Sequence, residues 1–288
     1  MRPAKIKQKL YSLLPNFMKK KMKSIYYDWI IYPWYSLKYL VYYGETEFFD
    51  SIAIETTTYC NLRCKFCPNS KYERGLKKNK KIMDTNLFKK IINELSEINY
   101  RGQILFHFYG DPLTDKRIVG LASYTRKKLP KARLQINTNG FLLTISLYKA
   151  LLKAGINSFL ITRYETEPPA VENLLEYLKK RARKENKIKY RTLGYDIGLS
   201  NRGGEVKVET AIDFDRPICI YPNNSLIVDY LGNIVICCND YHSSIIFGNL
   251  KNEKLIDIWK NPAYKKMRQD LRKRIFTLPI CKKCVGIE

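Results

Sequence analysis

The chain has 288 residues, of which 45% are hydrophobic and 13% aromatic. This length and composition exclude a disordered chain and allow one large core or two modest domains. A formal charge of +25 attracts anionic partners, although charge alone does not choose among nucleic acid, membrane and acidic substrate. No signature of an RNA-binding module accompanies the charge, so we do not expect nucleic acid as a partner.

Residues 1–48 form a segment of their own. The first 23 residues are basic, and residues 25–43 are rich in Tyr, Trp and Ile. The second run is long enough to span a bilayer, but Asp28, Pro33 and Lys38 interrupt it, so we do not predict a transmembrane helix. Two interpretations remain. Either the segment makes peripheral contact with an anionic membrane surface, or it packs against the next domain with its aromatic side chains buried, which we favour.

Strand-like and helix-like runs alternate from residue 49 to residue 204, which is typical of an α/β fold with a parallel sheet and outer helices. The helix after Asp84 has the clearest signal, because Asp84 can cap it and apolar residues recur at helical spacing as far as Leu95. The pattern predicts strands at 52–56, 103–108, 133–137 and 157–162, and helices at 84–98, 115–129, 144–154 and 168–186.

Three cysteines, Cys60, Cys64 and Cys67, follow the first predicted strand. Thiolates favour zinc, copper(I) or iron–sulfur clusters. A closed structural zinc site needs four ligands, and no fourth Cys or His lies nearby in the sequence. A four-iron cluster held by three cysteines keeps one iron open to an outside ligand. The spacing therefore indicates a reactive iron–sulfur site, with a zinc knuckle as the alternative.

This Cys-x3-Cys-x2-Cys loop, with Phe66 before its last cysteine, resembles the radical S-adenosylmethionine (SAM) superfamily. The resemblance implies a [4Fe-4S] cluster whose open iron binds SAM, and whose electron splits SAM to give a 5′-deoxyadenosyl radical that abstracts a substrate hydrogen. It implies that Phe66 contacts the adenine. It also implies a partial six-stranded (β/α) barrel with its site at the carboxyl ends of the strands.

The ends of later strands add candidate SAM contacts. Residues 109–112 (Tyr-Gly-Asp-Pro) resemble the family's Gly-Gly-Glu-Pro turn, with Tyr109 and Asp111 as departures from it. The resemblance implies that Gly110 allows close backbone approach and that Asp111 holds the SAM ammonium. Thr138 and Asn139, in a Thr-Asn-Gly turn after the third strand, resemble residues that touch SAM in relatives. Arg163 at the end of the fourth strand can pair with the methionine carboxylate, or lie exposed.

A second set of cysteines, Cys219, Cys237, Cys281 and Cys284, lies in residues 205–288, where the alternation stops. Four thiolates can hold zinc or a second cluster. In company with the first motif, the set resembles the Twitch or shortened SPASM extension of radical SAM enzymes. That resemblance implies a small C-terminal domain with one auxiliary [4Fe-4S] cluster. Its irons all have protein ligands, so we expect it to accept an electron and not to bind substrate.

The eighth cysteine, Cys238, adjoins Cys237 on a predicted hairpin strand that follows a turn at Gly232, so the two side chains should face opposite ways. Cys238 is then either a hydrogen-atom donor to a substrate radical or, as we favour, a small buried hydrophobe. Asp240 and His242 are candidate acceptors for a proton released by alcohol oxidation. His242 and three further polar residues, Glu55, Arg202 and Asn239, could be substrate contacts or merely structural.

We therefore predict a radical SAM oxidoreductase that dehydrogenates a hydroxyl of a sugar, cyclitol or glycan precursor. The alternative is a peptide-modifying enzyme, either an epimerase using Cys238 or a crosslinking maturase. The expected partners are a small-molecule or peptide substrate and an electron donor such as flavodoxin or ferredoxin. Clustered cysteines without a cleavable signal peptide indicate a reducing cytoplasm.

Overall fold

The computed structural model describes residues 25–163, 169–179, 187–192, 200–207, 219 and 221–287. The described part is built on a single sheet of eight strands with order β5-β4-β3-β2-β1-β6-β7-β8. The strands are β1 Ser51–Ile54, β2 Gln103–Leu105, β3 Arg133–Thr138, β4 Ser158–Arg163, β5 Ile188–Thr192, β6 Ser225–Val228, β7 Asn233–Val235 and β8 Ile246–Asn249.

Parallel pairing runs from β5 through β1 and continues into β6. Strand β1 thus lies between β2 and β6, with Ile52 aligned to Ile104 on one side and to Leu226 on the other. Strands β6, β7 and β8 pair antiparallel, and Gly232 makes the β6–β7 turn with φ +89°, a conformation that favours glycine. The C-terminal region therefore extends the sheet of the first region through β1.

Helices cross between the parallel strands and cover one face of the sheet. They are α1 Tyr32–Tyr43, α2 Thr85–Glu97, α3 Ile118–Lys128, α4 Ile145–Lys153 and α5 Pro169–Lys179, followed by α6 Leu255–Lys260, α7 Pro262–Arg272 and α8 Pro279–Val285 in the C-terminal region. Helix α2 begins as predicted, because Asp84 accepts hydrogen bonds from the amides of Asn86 (2.8 Å) and Leu87 (2.9 Å). Its apolar side chains join the main core.

Helix α1 continues a π-helical turn, Tyr27–Ile31, and packs on the main core through one side. Tyr32 and Tyr39 are buried, whereas Trp29 and Trp34 are exposed by 79% and 62%, and Tyr26 and Tyr42 are exposed as well. The favoured interpretation, that the aromatics of this segment are buried, thus holds for part of its tyrosines and is wrong for its tryptophans. Within the described residues, no helix combines the length and apolar character needed to cross a bilayer.

The predicted strands and helices are present, with shifted ends. Strand β2 stops at Leu105, so His107 and Phe108 lie in the following loop, and β7 stops at Val235, short of the predicted Cys238. Strand β5 was absent from the sequence prediction. The last part of the helix predicted at 168–186 lies outside the described residues.

Candidate active site

One cavity of about 410 Å³ brings the predicted site residues together. Its volume is typical of a small-molecule site. It extends along the inner face of the sheet, from the side chains of Ser51 and Ser225 at the amino ends of β1 and β6 to the loops that follow β1, β2 and β3. The predicted residues that line it are Cys60, Cys64, Phe66, Cys67, Gly110, Asp111, Thr138, Asn139, Cys237 and Cys238.

The cysteine loop leaves β1 and is braced from within. The Arg63 guanidinium donates to the carbonyls of Asn69 and Tyr72, which fixes the loop after Cys67. Asn139 Nδ2 lies 3.8 Å from Cys60 Sγ and donates to Asn61 Oδ1 at 2.9 Å. Burial raises the pKa of the Cys60 thiol to about 12, so metal binding at this position must displace a proton.

Asp111 connects the turns after β2 and β3. Its carboxylate accepts hydrogen bonds from Thr138 Oγ1 at 2.8 Å, from the Asn139 amide at 2.9 Å and from the Leu113 amide at 2.9 Å. Burial raises the pKa of this carboxyl group, against the effect of these donors. Asp111 therefore positions the Thr-Asn-Gly turn as well as lining the cavity, and its predicted contact with the SAM ammonium stays a prediction.

Gly110 lies where two backbone segments of the chain approach closely, and its predicted approach to SAM stays a prediction. A Cβ atom at this position would lie 1.9 Å from the carbonyl oxygen of Thr57, and the glycine is buried between the two loops. The Asp111 amide in turn donates to the Tyr59 carbonyl at 2.9 Å. The turn after β2 therefore packs directly on the strand-to-loop connection that carries Cys60.

A chain of polar side chains leads along the inner face of the sheet to the cavity. Gln103 Nε2 donates to Gln135 Oε1 (2.9 Å), Gln135 Nε2 donates to Asn137 Oδ1 (2.6 Å), and Asn137 Nδ2 lies 3.3 Å from His107 Nε2. Because the Asn137 oxygen is already an acceptor, its amide nitrogen donates to His107, and the neutral ring carries its proton on Nδ1. In the sequence, only the alternation of polar residues along β2 and β3 points to this chain.

Of the second set of cysteines, Cys237 lines the cavity. Cys219, Cys237 and Cys281 pack against the main core, and burial, followed by the nearby Cys219 and Cys284, raises the pKa of Cys281 to about 12. Burial raises the pKa of Cys237 well above its usual value. None of the eight cysteines forms a disulfide. No three described His, Cys, Asp or Glu side chains are placed to hold a single metal ion.

Cys237 and Cys238 pack against different clusters, although both line the cavity and β7 ends before either of them. Cys238 packs on a small cluster formed by Ala53, Ile227 and Val235, which faces the cavity. Cys237 instead packs with the main core, and its sulfur accepts a hydrogen bond from the Asn239 amide at 3.4 Å. The different roles predicted for the two thiols stay predictions.

The structure corrects the interpretation of Asp240 as a proton acceptor. Asp240 is 1% exposed and is absent from the cavity lining. Its carboxylate accepts from the Ser244 amide and hydroxyl (2.9 and 2.8 Å) and from the Ile245 amide (3.0 Å). These bonds occupy both oxygens in holding the loop that follows Cys238, which is a structural role.

Other polar candidates have distinct positions. Asn239 donates to Cys284 Sγ at 3.4 Å, so it supports the second cysteine set. His242 lies 3.4 Å from the Glu205 carboxylate and packs on the Tyr72 ring, outside the cavity lining. Arg202 lines the cavity. Arg163 ends β4, but its side chain lies outside the part of the chain that the structure describes.

Glu55 and Arg74 form a buried ion pair that no local signal in the sequence predicts. Arg74 Nη2 lies 2.6 Å from Glu55 Oε2, and the same oxygen accepts from the Tyr230 amide at 3.2 Å. Arg74 also donates to the Tyr241 carbonyl at 3.2 Å. Burial raises the pKa of Glu55 to about 7, against the lowering effect of Arg74. The pair joins β1, the cysteine loop and the C-terminal region.

Comparison with known proteins now decides the family. The Radical SAM superfamily model matches residues 54–184, and the SPASM model, an iron-sulfur cluster-binding domain, matches residues 219–285. The S-adenosyl-L-methionine-dependent 2-deoxy-scyllo-inosamine dehydrogenase of Niallia circulans is 32% identical over 242 residues, covering 84% of this chain and 94% of that protein. The chain belongs to the radical SAM superfamily.

Solved structures agree with this assignment. The crystal structure of BtrN in complex with AdoMet and 2-DOIA has a TM-score of 0.73 and 30% identity, covering 83% of this chain and 93% of that chain. SuiB of Streptococcus suis bound to precursor peptide SuiA has a TM-score of 0.51 at 14% identity, covering 81% of this chain and 70% of that chain. The SuiB comparison shows the fold alone.

As a radical SAM enzyme with a SPASM domain, the protein uses SAM, a SAM-binding [4Fe-4S] cluster and an auxiliary iron–sulfur cluster. The donor chemistry of the structure fits these groups, since both cysteine sets are thiols without disulfides, and the first set and Cys237 of the second line one cavity. Cys60, Cys64 and Cys67 would hold the first cluster. Cys219, Cys237, Cys281 and Cys284 would hold the auxiliary one.

Proposed function

We propose that this radical SAM enzyme dehydrogenates a secondary hydroxyl of a cyclitol or sugar-like small molecule. The observation that carries the proposal is that Cys60, Cys64 and Cys67 on one side and Cys237 on the other line the same cavity. A relative that matches nearly the full chain is a 2-deoxy-scyllo-inosamine dehydrogenase, which supports the same reaction class.

The oxidation of a CH–OH group to a ketone removes a hydrogen atom from carbon, a proton from oxygen and one further electron. The first cluster with SAM, when bound, supplies the abstraction of the hydrogen atom. The four thiols of the second set leave no open ligand position, so an acceptor held there can take the electron without binding substrate. A cavity bordered by the first set and by Cys237 keeps the electron's path short.

The inner wall of the cavity suits a hydroxylated substrate. His107 and Asn137 border it at the end of the hydrogen-bonded amide chain. Tyr109 also lines the cavity and is only 8% exposed. Its hydroxyl group has no hydrogen-bond partner in the structure. A buried polar group without a partner is costly. A substrate hydroxyl that bonds to Tyr109 would offset that cost, and the Nδ1–H tautomer of His107 can donate to a substrate oxygen.

The electron needed to cleave SAM comes from outside the chain, and we propose a flavodoxin or ferredoxin. The formal charge of +25 favours an acidic donor. Eight cysteines without a disulfide fit a reducing compartment, and we place the reaction in the cytoplasm.

The experiment that tests the proposal uses anaerobically reconstituted enzyme with SAM, a reductant and an aminocyclitol deuterated at the carbinol carbon. We expect deuterium in 5′-deoxyadenosine and one equivalent of ketone per SAM cleaved. The variant C64S should lose both products. The variant C284S should still form 5′-deoxyadenosine while ketone formation falls, because only the electron acceptor is removed. Equal loss of both products in C284S, with intact first-cluster iron content, would contradict the assigned roles.

A second candidate, epimerisation, is favoured by one observation: the side chain of Cys238 faces the cavity. A thiol there can return a hydrogen atom to a substrate radical. In the variant C238A, a dehydrogenase keeps most of its ketone formation, whereas an epimerase loses product and no longer incorporates solvent deuterium. Retained solvent deuterium at a substrate carbon in the unchanged enzyme, without ketone, would establish the second candidate.

A further inference from the structure

A surface with no part in the cavity lies on the outer side of α1 and the π-helical turn before it. Five large apolar side chains recur there at helical spacing and form what we call the outward stripe, namely Trp29, Ile30, Trp34, Leu37 and Val41. Their exposures range from 56% for Ile30 to 79% for Trp29. Contiguous exposed apolar surface of this kind marks an interaction site.

The opposite side of the helix is attached to the protein. Tyr32 and Tyr39 are buried, Lys38 pairs with Asp50, and the Arg272 guanidinium lies 4.0 Å from the centroid of the Tyr32 ring. The helix therefore holds the outward stripe in a fixed orientation, and its more apolar side is the one that faces away from the core. Helix α1 is attached to the chain's own core mainly through Tyr32 and Tyr39.

Charge indicates what covers the outward stripe. Residues 1–24, which directly precede it, contain no Asp or Glu and eight basic residues: Arg2, Lys5, Lys7, Lys9, Lys19, Lys20, Lys21 and Lys23. Within the described part, Arg272, Lys273 and Arg274 line a shallow cleft together with Glu47 and with Asp28 of the π-helical turn. The outward stripe is therefore preceded by strongly cationic sequence and lies beside a cleft with three basic and two acidic residues.

We propose that the outward stripe and the basic residues 1–24 dock this enzyme on an anionic membrane surface. Tryptophan prefers the headgroup level of a bilayer, and basic residues add electrostatic attraction to anionic lipids. A second copy of the chain is a poorer occupant, because its own basic segment would be brought against the first. The membrane-bound enzyme keeps its cavity accessible, since no member of the outward stripe lines it.

Tryptophan fluorescence of the full-length, cluster-loaded enzyme tests the docking. The chain has three tryptophans, and Trp259 is 2% exposed, so an emission shift on adding vesicles reports on Trp29 and Trp34. We expect a blue shift with vesicles of equal parts phosphatidylcholine and phosphatidylglycerol, and none with pure phosphatidylcholine. Raising NaCl from about 0.1 to about 0.5 M should weaken the binding.

Co-sedimentation with the same vesicles compares variants. The double variant W29S/W34S should bind roughly tenfold or more weakly, and K19E/K20E/K21E should lose the preference for anionic lipid. The matched control L231N changes an apolar residue that is 42% exposed in the β6–β7 turn and should bind normally. All three should cleave SAM at the unchanged rate, because none touches the cavity.

Two results would overturn the proposal. One is an enzyme that neither sediments with anionic vesicles nor changes its emission. The other is a concentration-dependent dimer, seen by sedimentation velocity without lipid and lost in W29S/W34S, because it would show that a second copy covers the outward stripe.

Discussion

The ion pair between Glu55 and Arg74 can be broken by one substitution, R74M, which keeps the aliphatic bulk and removes the charge. The Glu55 side chain is fully buried, and Arg74 lies 2.6 Å from it. The Arg74 guanidinium also lies over the rings of Phe108 and Tyr241, at 5.5 and 5.3 Å from their centroids. The substitution therefore leaves a buried carboxylate without its counter-charge, at a point where three parts of the chain meet.

Removing one partner of a buried ion pair typically costs about 3–5 kcal/mol. Glu55 limits this loss by binding a proton. Its pKa is already raised from 4.5 to about 7 by burial, and Arg74 is the largest effect that lowers it. A carboxyl group with a raised pKa in the folded state binds its proton more tightly there than in the unfolded chain. Stability is then greatest at low pH and falls as pH rises through the folded pKa. R74M should consequently lose least near pH 6 and most near pH 8.

The assay is anaerobic thermal unfolding of the cluster-loaded enzyme. A loss of about 3 kcal/mol corresponds to a Tm decrease of about 6 °C or more near pH 8, with a smaller decrease near pH 6. The double variant E55Q/R74M should recover part of the loss and show a weaker pH dependence. The control K78M breaks the Lys78–Glu73 pair in the same loop, where both side chains are 65% exposed, and should not change Tm measurably. A Tm for R74M equal to that of the unchanged protein near pH 8, or a pH-independent decrease, would refute the reasoning.

Three further changes test the local structure. G110A places a Cβ atom 1.9 Å from the Thr57 carbonyl oxygen, so the turn after β2 must shift. We expect the initial rate of 5′-deoxyadenosine formation to fall by about a hundredfold. An unchanged rate would contradict the close approach. D111N puts an amide nitrogen where an acceptor for Thr138 Oγ1 or the Asn139 amide is needed, which costs about 1–3 kcal/mol. We therefore expect a higher KM for SAM at unchanged iron content. An unchanged KM would show that the turn does not depend on Asp111. D84A removes the N-terminal cap of α2 and should lower the free energy of unfolding by about 1 kcal/mol without changing SAM cleavage. Reduced SAM cleavage would instead indicate that α2 influences the cavity.

Local signals in the sequence were sufficient for the first four strands, their crossover helices and the three cysteines of the first loop. Strand β1, for example, is an apolar run of Ile52, Ala53 and Ile54, and α2 has both a cap and helical periodicity. The turns that carry Gly110 and Asn139 follow strand ends, and the carboxyl ends of parallel strands share one edge of a sheet. The convergence of these residues on one cavity could therefore be predicted before any contact was known.

Pairings between distant segments could not be predicted in this way. The sequence of strand β5, Ile188-Lys-Tyr-Arg-Thr, mixes polar and apolar residues, and no clear turn signal separates it from the helix before it. The strand is recognised only by its parallel pairing with β4. Asp240 was assigned a chemical role because it follows Cys238, yet its oxygens are occupied by Ser244 and Ile245. The partner of Glu55 is 19 residues away, in a loop without periodicity. In each case the deciding contact depends on tertiary structure.

The arrangement explains how an electron acceptor in the C-terminal region can stay at a fixed position relative to the first cysteine set. Strand β6 continues the sheet directly from β1, so the hairpin before Cys237 is attached to the strand that leads into Cys60. On the loop side, Asn69 accepts from the Tyr241 hydroxyl at 3.0 Å and donates to the Tyr109 carbonyl at 3.0 Å. Moving either cysteine set as a separate body would break sheet pairing and buried hydrogen bonds together. Since these connections are short and buried, the fold itself holds the separation of the two cysteine sets.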